Sequence, residues 1–249
     1  MVVFSLKMKI FPAIDLKDGQ CVRLNKGDYK QVKKYSDNPI LVAEEWINQG
    51  TQKLHIIDLD GAKSGLPVNH NFIFDIKKKF PHLYIQVGGG IRNLENIQMY
   101  LDNGIDKIIL GTKAVKNLDF ISSLEKEIQK KIIVDIAIKD GKLAIEGWNQ
   151  LSTHDTKTFI NSLKQYNISE IVFTDINRDG MLSGINFTVI EDIVKFSDIP
   201  VIASGGISSI NDIKKLEPLS KFGLSGVIVG KALYEKKINL TEAINLFGS

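Results

Sequence analysis

The feature that most limits how this chain can fold is a layout that occurs twice. In residues 199–232, the apolar run Val201–Ala203 stops at Ser204-Gly205-Gly206, and the run Val227–Val229 stops at Gly230-Lys231. In the first half, Gln86-Val87 runs into Gly88-Gly89-Gly90, and Ile108-Ile109-Leu110 runs into Gly111-Thr112. Gly89 to Gly205 is 116 residues, and Gly111 to Gly230 is 119. Short β-branched runs that stop at glycine read as buried parallel strands opening into tight loops. Backbone N–H groups in such loops, beside a helix start expected near Ser208, make a cradle for a phosphate dianion. The chain therefore carries two phosphate-like sites, each built from two strand ends.

The remainder alternates strand and helix. Strands are expected over Lys9–Ile14, Lys53–Ile57, Leu83–Val87, Lys107–Leu110, Ile132–Val134, Glu170–Phe173 and the two runs above. Helices are expected over Leu41–Gln49 with Pro39 at the start, then Asn71–Lys79, Asn93–Asn103, Leu118–Gln129, Asp155–Gln165, Phe187–Phe196, Ser208–Leu216 and Leu240–Leu246. The polar stretch after Asp15, through Asp37, reads as loop, whereas Ile138–Trp148 alternates about Asp140-Gly141, a hairpin signal. Such alternation implies a parallel sheet, open or closed. The repeat selects the closed form. Asp15 matches Asp135, each soon followed by Lys-Asp-Gly, and Asp58 matches Asp175. Asp60-Gly61 and Gly65 match Asp179-Gly180 and Gly184. The fold class is α/β: a single (β/α)8 TIM barrel of two similar half-barrels over residues 1–249, with residues 1–7 readable as an N-terminal extension.

Composition excludes several function classes. The net charge of +3 is spread along the chain, which offers no dedicated nucleic-acid surface but leaves an anionic substrate open. No apolar run reaches the roughly 18 residues of a membrane span, and Met1–Leu6 is too short for a signal peptide. Cys21 is the only cysteine, so no internal disulfide forms and a reducing cytoplasm fits. His55 lies inside a strand and reads as a packed structural histidine, while His70, His82 and His154 lack metal-ligand spacing. No dinucleotide fingerprint is present. No metal or cofactor is expected.

Asp15 or Asp135 taken singly reads as a strand-end cap. As a matched pair facing one barrel mouth, they read as catalytic. The fourfold recurrence of glycine at strand ends favours phosphate binding over mere turns. It assigns Gly89, Gly90, Gly111 and Thr112 to one cradle, and Ser204, Gly205, Gly206, Gly230 and Lys231 to the other. Trp148 sits in a polar loop and reads as a ring that covers a substrate. Asp58 reads as structural or positioning, Arg178 as a solvated charge, and Asp179 as the better site candidate.

Longer words in the chain carry a resemblance. They are Phe11-Pro12-Ala13-Ile14-Asp15-Leu16 with Cys21-Val22-Arg23-Leu24, His55-Ile56-Ile57-Asp58-Leu59-Asp60-Gly61-Ala62, Gln86-Val87-Gly88-Gly89-Gly90-Ile91-Arg92, Gly147-Trp148, Thr174-Asp175-Ile176-Asn177-Arg178-Asp179-Gly180, Ser204-Gly205-Gly206-Ile207 and Val229-Gly230-Lys231-Ala232-Leu233. In this order they resemble the phosphoribosyl isomerase family of histidine biosynthesis, over essentially the whole chain from Met8. The resemblance implies conversion of a bisphosphorylated aminoimidazole carboxamide ribotide, ProFAR, from aminoaldose to aminoketose. It implies Thr174 as a third catalytic residue and Arg23, Arg92, Trp148 and Asp179 as substrate contacts. The segment Asp135-Ile136-Ala137-Ile138-Lys139-Asp140-Gly141 departs from the family's shorter Ala-Arg-Asp-Gly type loop and lacks its arginine, which leaves Lys139 as the candidate basic residue there.

The implied Amadori rearrangement needs one acid and one base across the sugar. Asp135, protonated, is assigned the ring oxygen, and Asp15, ionised, the C2 proton. Glycine-bearing loops after strands one, five and six are expected to close over the substrate. Other readings stay open. The cyclase subunit of imidazole glycerol phosphate synthase fits less well, since its first strand carries a Cys-Leu-Asp type motif where this chain has Ala13-Ile14-Asp15. A bifunctional isomerase also acting on phosphoribosyl anthranilate is poorly separated by sequence. A catalytically silent phosphosugar-binding barrel gives no reason for carboxylates at the mouth. The expected partner is a small bisphosphorylated molecule, bound by a monomer, with no nucleic acid and no membrane.

Overall fold

A computed structural model describes residues 7–248 of the chain. Eight parallel strands form its wall: β1 Lys9–Lys17, β2 Lys53–Asp58, β3 Tyr84–Gly88, β4 Lys107–Leu110, β5 Ile132–Lys139, β6 Glu170–Asp175, β7 Val201–Ser204 and β8 Leu224–Val229. Each strand pairs with the next, and β8 pairs with β1 from Lys9↔Gly226 to Pro12↔Val229. That last pairing closes the ring, so the expected (β/α)8 barrel forms. Of the extension expected over residues 1–7, residues 1–6 lie outside the described residues. Met8 is fully buried, and its N–H donates to Phe247 O at 3.1 Å.

Strand periodicity divides the core in two. Alternate residues point into the barrel, where Phe11, Ala13, Ile109, Ile133, Val172, Ile202 and Ile228 form a buried plug. The intervening residues, such as Ile10, Ile14, Ile56 and Ile85, point outward against the helices. Helix Phe187–Phe196 meets them with Ile190, Ile193 and Val194, and helix His70–Lys79 with Ile73 and Ile76. This spacing of three and four residues is that of one helical face.

Three departures from expectation have local causes. The segment after Asp15 is not a loop. β1 runs on to Lys17 and pairs antiparallel with Gln20–Asn25, which pairs in turn with Asp28–Ser36. Asp18-Gly19 and Lys26-Gly27 both have positive φ at each residue, as does the expected turn at Asp140-Gly141. All three are type I′ hairpin turns. The strand Asp28–Ser36 is mostly exposed and lysine-rich, so it shows no apolar alternation. The helix expected over Leu118–Gln129 is two short ones, Leu118–Ser122 and Lys126–Gln129. Ser122 and Ser123 donate their hydroxyls to carbonyls three residues back, and Gln129 Nε2 donates to Ile121 O and Leu124 O, which satisfies the broken ladder. Short helices Leu59–Ser64, Thr112–Lys116 and Lys231–Tyr234 are additional.

The half-barrel repeat is visible in the backbone. A Cβ on Gly89 would lie 2.1 Å from Asp58 O, and one on Gly205 would lie 2.4 Å from Asp175 O. Both glycines have positive φ, +101° and +89°. Glycine is therefore required at these two positions by close backbone approach to the preceding strand end. Gly89→Ala and Gly205→Ala should each lose more than the roughly 1–3 kcal/mol of a strained φ alone. Gly141→Ala has positive φ but nothing within 4 Å, and isolates the φ cost. Urea denaturation of the three variants checks this. Equal losses at all three positions would show that the carbonyl contacts are unimportant.

Candidate active site

The C-terminal ends of the strands form one mouth. Asp15, Asp135 and Thr174 each stand two residues beyond a plug residue, namely Ala13, Ile133 and Val172. Period-two alternation therefore aims all three inward, above an apolar floor. A cavity at this level is lined by these three, by Gly89, Gly90, Gly111 and Thr112, and by Arg23, Arg92, Trp148, Asp179 and Ser204. A smaller adjoining cavity is lined by Gly205, Gly206, Gly230 and Lys231, and shares Arg23, Asp179 and Ser204 with the first. Asp15, Asp135, Asp179, Thr174, the glycine-loop residues, Arg23, Arg92 and Trp148 singled out from the sequence thus line one cavity or the other.

The two carboxylates have unlike partners. Arg23, carried inward by the strand Gln20–Asn25, places Nη1 3.0 Å from Asp15 Oδ2 and Nη2 3.9 Å from Asp179 Oδ1. Burial pushes the Asp15 carboxyl up to about 6, against the pull of Arg23 and with a further push from Asp179. Asp135 accepts a hydrogen bond from the Thr174 hydroxyl at 3.2 Å. Burial pushes it up to about 7, against that hydrogen bond and again with a push from Asp179. A full cation faces Asp15 and only a neutral hydroxyl faces Asp135, so the surroundings favour the ionised form more strongly at Asp15.

Loops cross-link over the mouth. Lys26 N donates to Asp179 O at 3.0 Å, and Lys231 Nζ donates to Gly180 O at 2.7 Å and Asn25 Oδ1 at 3.0 Å. Glu146 N donates to Thr112 Oγ1 at 2.9 Å, and its carboxylate pairs with Lys116 and, at 3.6 Å, with Arg92. Trp148 lies against Gly27, where a Cβ would come within 2.3 Å of Trp148 Cε3. The loops after β1, β5 and β6 are in this way joined to one another and to both glycine cradles.

Some expectations need correction. Lys139 pairs with Lys142 in the hairpin and does not line the cavity; the basic residues that do are Arg23, Arg92 and Lys113. Lys113 was missed, although it stands two residues after Gly111 in a repeated loop. His55 is not merely packed in the wall: it lines the cavity floor, with Nδ1 2.9 Å from Gln86 Nε2. Burial and the Arg23 charge push its imidazole down to about 3, so it is neutral. Arg178 is half-buried rather than solvated. It donates to Gly184 O at 3.0 Å and pairs with Asp175 at 3.6 Å, bracing its loop. Asp58 is structural, as expected. It is fully buried and accepts from Gly61 N, Val68 N, Asn69 N and Asn69 Nδ2 at 2.7–2.8 Å. Burial pushes the Cys21 thiol up to about 12, which suits an inert residue. Among the described residues no helix is long and apolar enough to cross a membrane.

A family model described as histidine biosynthesis protein matches residues 9–239. The chain belongs to this family. It is 46% identical over 239 residues to the 1-(5-phosphoribosyl)-5-((5-phosphoribosylamino)methylideneamino)imidazole-4-carboxamide isomerase of Thioalkalivibrio sulfidiphilus, covering 96% of this chain and 99% of that protein. A protein of the same name from Clostridioides difficile is 45% identical over 239 residues, covering 96% and 98%. Another from Microcystis aeruginosa is 46% identical over 242 residues, covering 97% and 95%. Near-complete coverage on both sides means that the family resemblance extends through all eight strands and the loops above them.

The raised carboxyl of Asp135 has a consequence for stability. Folding favours its neutral form, so its contribution is complete at acid pH and is lost as pH rises from the ordinary 3.8 to about 7, where the unfolded chain ionises first. Asp135→Asn keeps an acceptor for Thr174 and removes the ionisation. Without added substrate, its Tm should exceed that of the wild type at pH 8 and approach it near pH 4. A difference independent of pH would contradict the burial of this carboxyl.

Proposed function

We infer that the chain is a ProFAR isomerase, converting the aminoaldose to the aminoketose by Amadori rearrangement in histidine biosynthesis. The observation that carries this reading is the pair Asp15 and Asp135, unlike in their partners, placed between two glycine cradles in a chain 46% identical to an isomerase of that name. Asp135, protonated, gives its proton to the ring oxygen as the C1–O bond breaks and the amine nitrogen forms an iminium. Asp15, ionised beside Arg23, takes the C2 proton, and the released electron pair makes the C1=C2 bond of an enolamine. Loss of the C2 hydroxyl proton and protonation of C1 complete the ketone. Atoms and electrons balance, and no oxidant or reductant takes part.

Gly89, Gly90, Gly111 and Thr112 receive one phosphate, with Arg92 beside them. Ser204, Gly205, Gly206, Gly230 and Lys231 receive the other. Binding both ends spends remote binding energy on positioning the ribose. Thr174 holds Asp135, burial with a further push from Asp179 raises both carboxyls, and Trp148 covers the substrate. Both cradles and both carboxylates come from one chain, so the enzyme is read as one barrel domain acting as a monomer. The cytoplasm is the proposed compartment.

The test is turnover of ProFAR by the purified protein, with no glutaminase or ammonia supplied. The plot of kcat/KM against pH should be bell-shaped with its maximum between about 6 and about 7, the values to which Asp15 and Asp135 are raised. Asp15→Asn and Asp135→Asn should each lower kcat by about 10²-fold or more. In the residual activity, Asp15→Asn should lack the acid limb and Asp135→Asn the alkaline limb. Either variant turning over within about tenfold of wild type would refute its assigned role.

A further inference from the structure

The cavity floor is apolar except at one place. Ala13, Ile57, Ile109, Val172 and Ile228 form most of it, and His55 stands among them, 6% exposed. β2–β1 register sets His55 opposite Ala13, two residues below the level of Asp15. β2–β3 register sets it directly opposite Gln86, which is wholly buried. The two side chains meet at 2.9 Å, and Gln86 Oε1 has no hydrogen-bond partner among the described residues.

The barrel plug gains one hydrogen bond from this pair and is left with an unpaired amide oxygen. Its neighbours at the same depth are apolar, and an unpaired amide oxygen in such a layer costs stability. Of the two, His55 lines the substrate cavity and Gln86 lies behind it, so the imidazole is the polar group that a ligand in the cavity can reach. Neutral imidazole offers one donor and one acceptor. With the Gln86 amide N–H donating to Nδ1, the proton resides on Nε2, at the end of the ring available to the cavity.

We propose that His55 is a substrate-binding residue, donating Nε2–H to an oxygen of the reacting ribose, and that Gln86 is the positioning residue that holds the proton on Nε2. This rests on the isomerase reading above. Neutrality matters to the chemistry. An imidazolium below Asp15 would draw both carboxyls toward ionisation and leave Asp135 without the proton it must give. A neutral donor orients the sugar without that penalty. The His55 strand lies between β1, which carries Asp15, and β3, which leads into the first glycine cradle.

Side-chain nitrogen NMR of the 15N-labelled full-length protein tests this directly. His55→Asn or, should that variant not fold, His55→Gln identifies the His55 signals among the four histidines. The expected wild-type pattern is a neutral ring protonated on Nε2, unchanged from pH 5 to pH 8. Gln86→Met should give a mixture of tautomers, and Gln86→Glu a ring protonated on Nδ1. In the folded Gln86 variants and in His55→Asn, kcat/KM for ProFAR should fall by about tenfold or more, the loss of one hydrogen bond. The pH limbs assigned to Asp15 and Asp135 should stay where they are. A purely structural pair would lower Tm and leave the kinetics of the folded protein unchanged. An Nδ1-protonated ring in the wild type, or wild-type kcat/KM in the folded variants, overturns the proposal. Absence of ProFAR turnover by the wild type would instead count against the isomerase reading.

Discussion

Closure of the parallel ring between β1 and β8 is the constraint on which everything else in this protein depends. Once eight strands close, half of their side chains must point into a space with no water, and half must face the helices. The inward rows answer with Phe11, Ala13, Ile109, Ile133, Val172, Ile202 and Ile228 at depth. The same rows, continued by two residues, end in Asp15, Asp135 and Thr174 at the mouth. A carboxylate in this position has an apolar plug below it and the barrel wall around it, and opens only to the cavity. That is why burial is the leading cause of the raised values of both aspartates.

A nearly symmetric scaffold carries an asymmetric pair. Gly111 and Gly230, at matching strand ends, have almost the same backbone angles, φ −97° and ψ −99° against φ −103° and ψ −102°. Their surroundings differ. Gly111 faces Asp135, whereas Gly230 faces the Arg23 guanidinium that partners Asp15. The difference comes from the hairpin after β1, which carries Arg23 inward; the matching hairpin after β5 has Ile145 at that place and brings no cation. Tyr35 at the far end of the first hairpin stacks on Tyr234 at 4.5 Å, and Trp46 meets Tyr234 edge-on at 5.0 Å. This aromatic cluster ties the hairpin, and with it Arg23, to the barrel. One loop-borne cation thus gives two equivalent aspartates unlike electrostatic surroundings, the asymmetry on which the proposed base and acid roles rest.

The loops above the site belong to the same economy of constraint. Glu146, Gly147 and Trp148 are consecutive residues with positive φ, and two of them are not glycine. That backbone is strained, and it is held by contacts from Thr112, Arg92 and Lys116 and by Trp148 on Gly27. Thr112 and Arg92 also belong to the first glycine cradle. The loop that covers the cavity is therefore fastened to the groups proposed to receive a phosphate.

The sequence by itself determined the class of fold and pointed to most of the residues that line the two cavities. Glycine at four strand ends, aspartate at two matched ones and the half-length repeat are local and periodic signals, legible without tertiary contacts. They located Asp15, Asp135 and both cradles, and the longer words added Thr174, Arg23, Arg92, Trp148 and Asp179. The hairpin after Asp15 escaped because its outer strand is exposed and lysine-rich, though Asp18-Gly19 repeated the turn signal read at Asp140-Gly141. His55 escaped because a histidine in a strand looks the same whether it faces a helix or a cavity. Which cation pairs with Asp15, which hydroxyl faces Asp135 and which way His55 points were decided only by the tertiary structure. Each depends on burial and on partners far away in the chain, and neither quantity exists until the ring is closed.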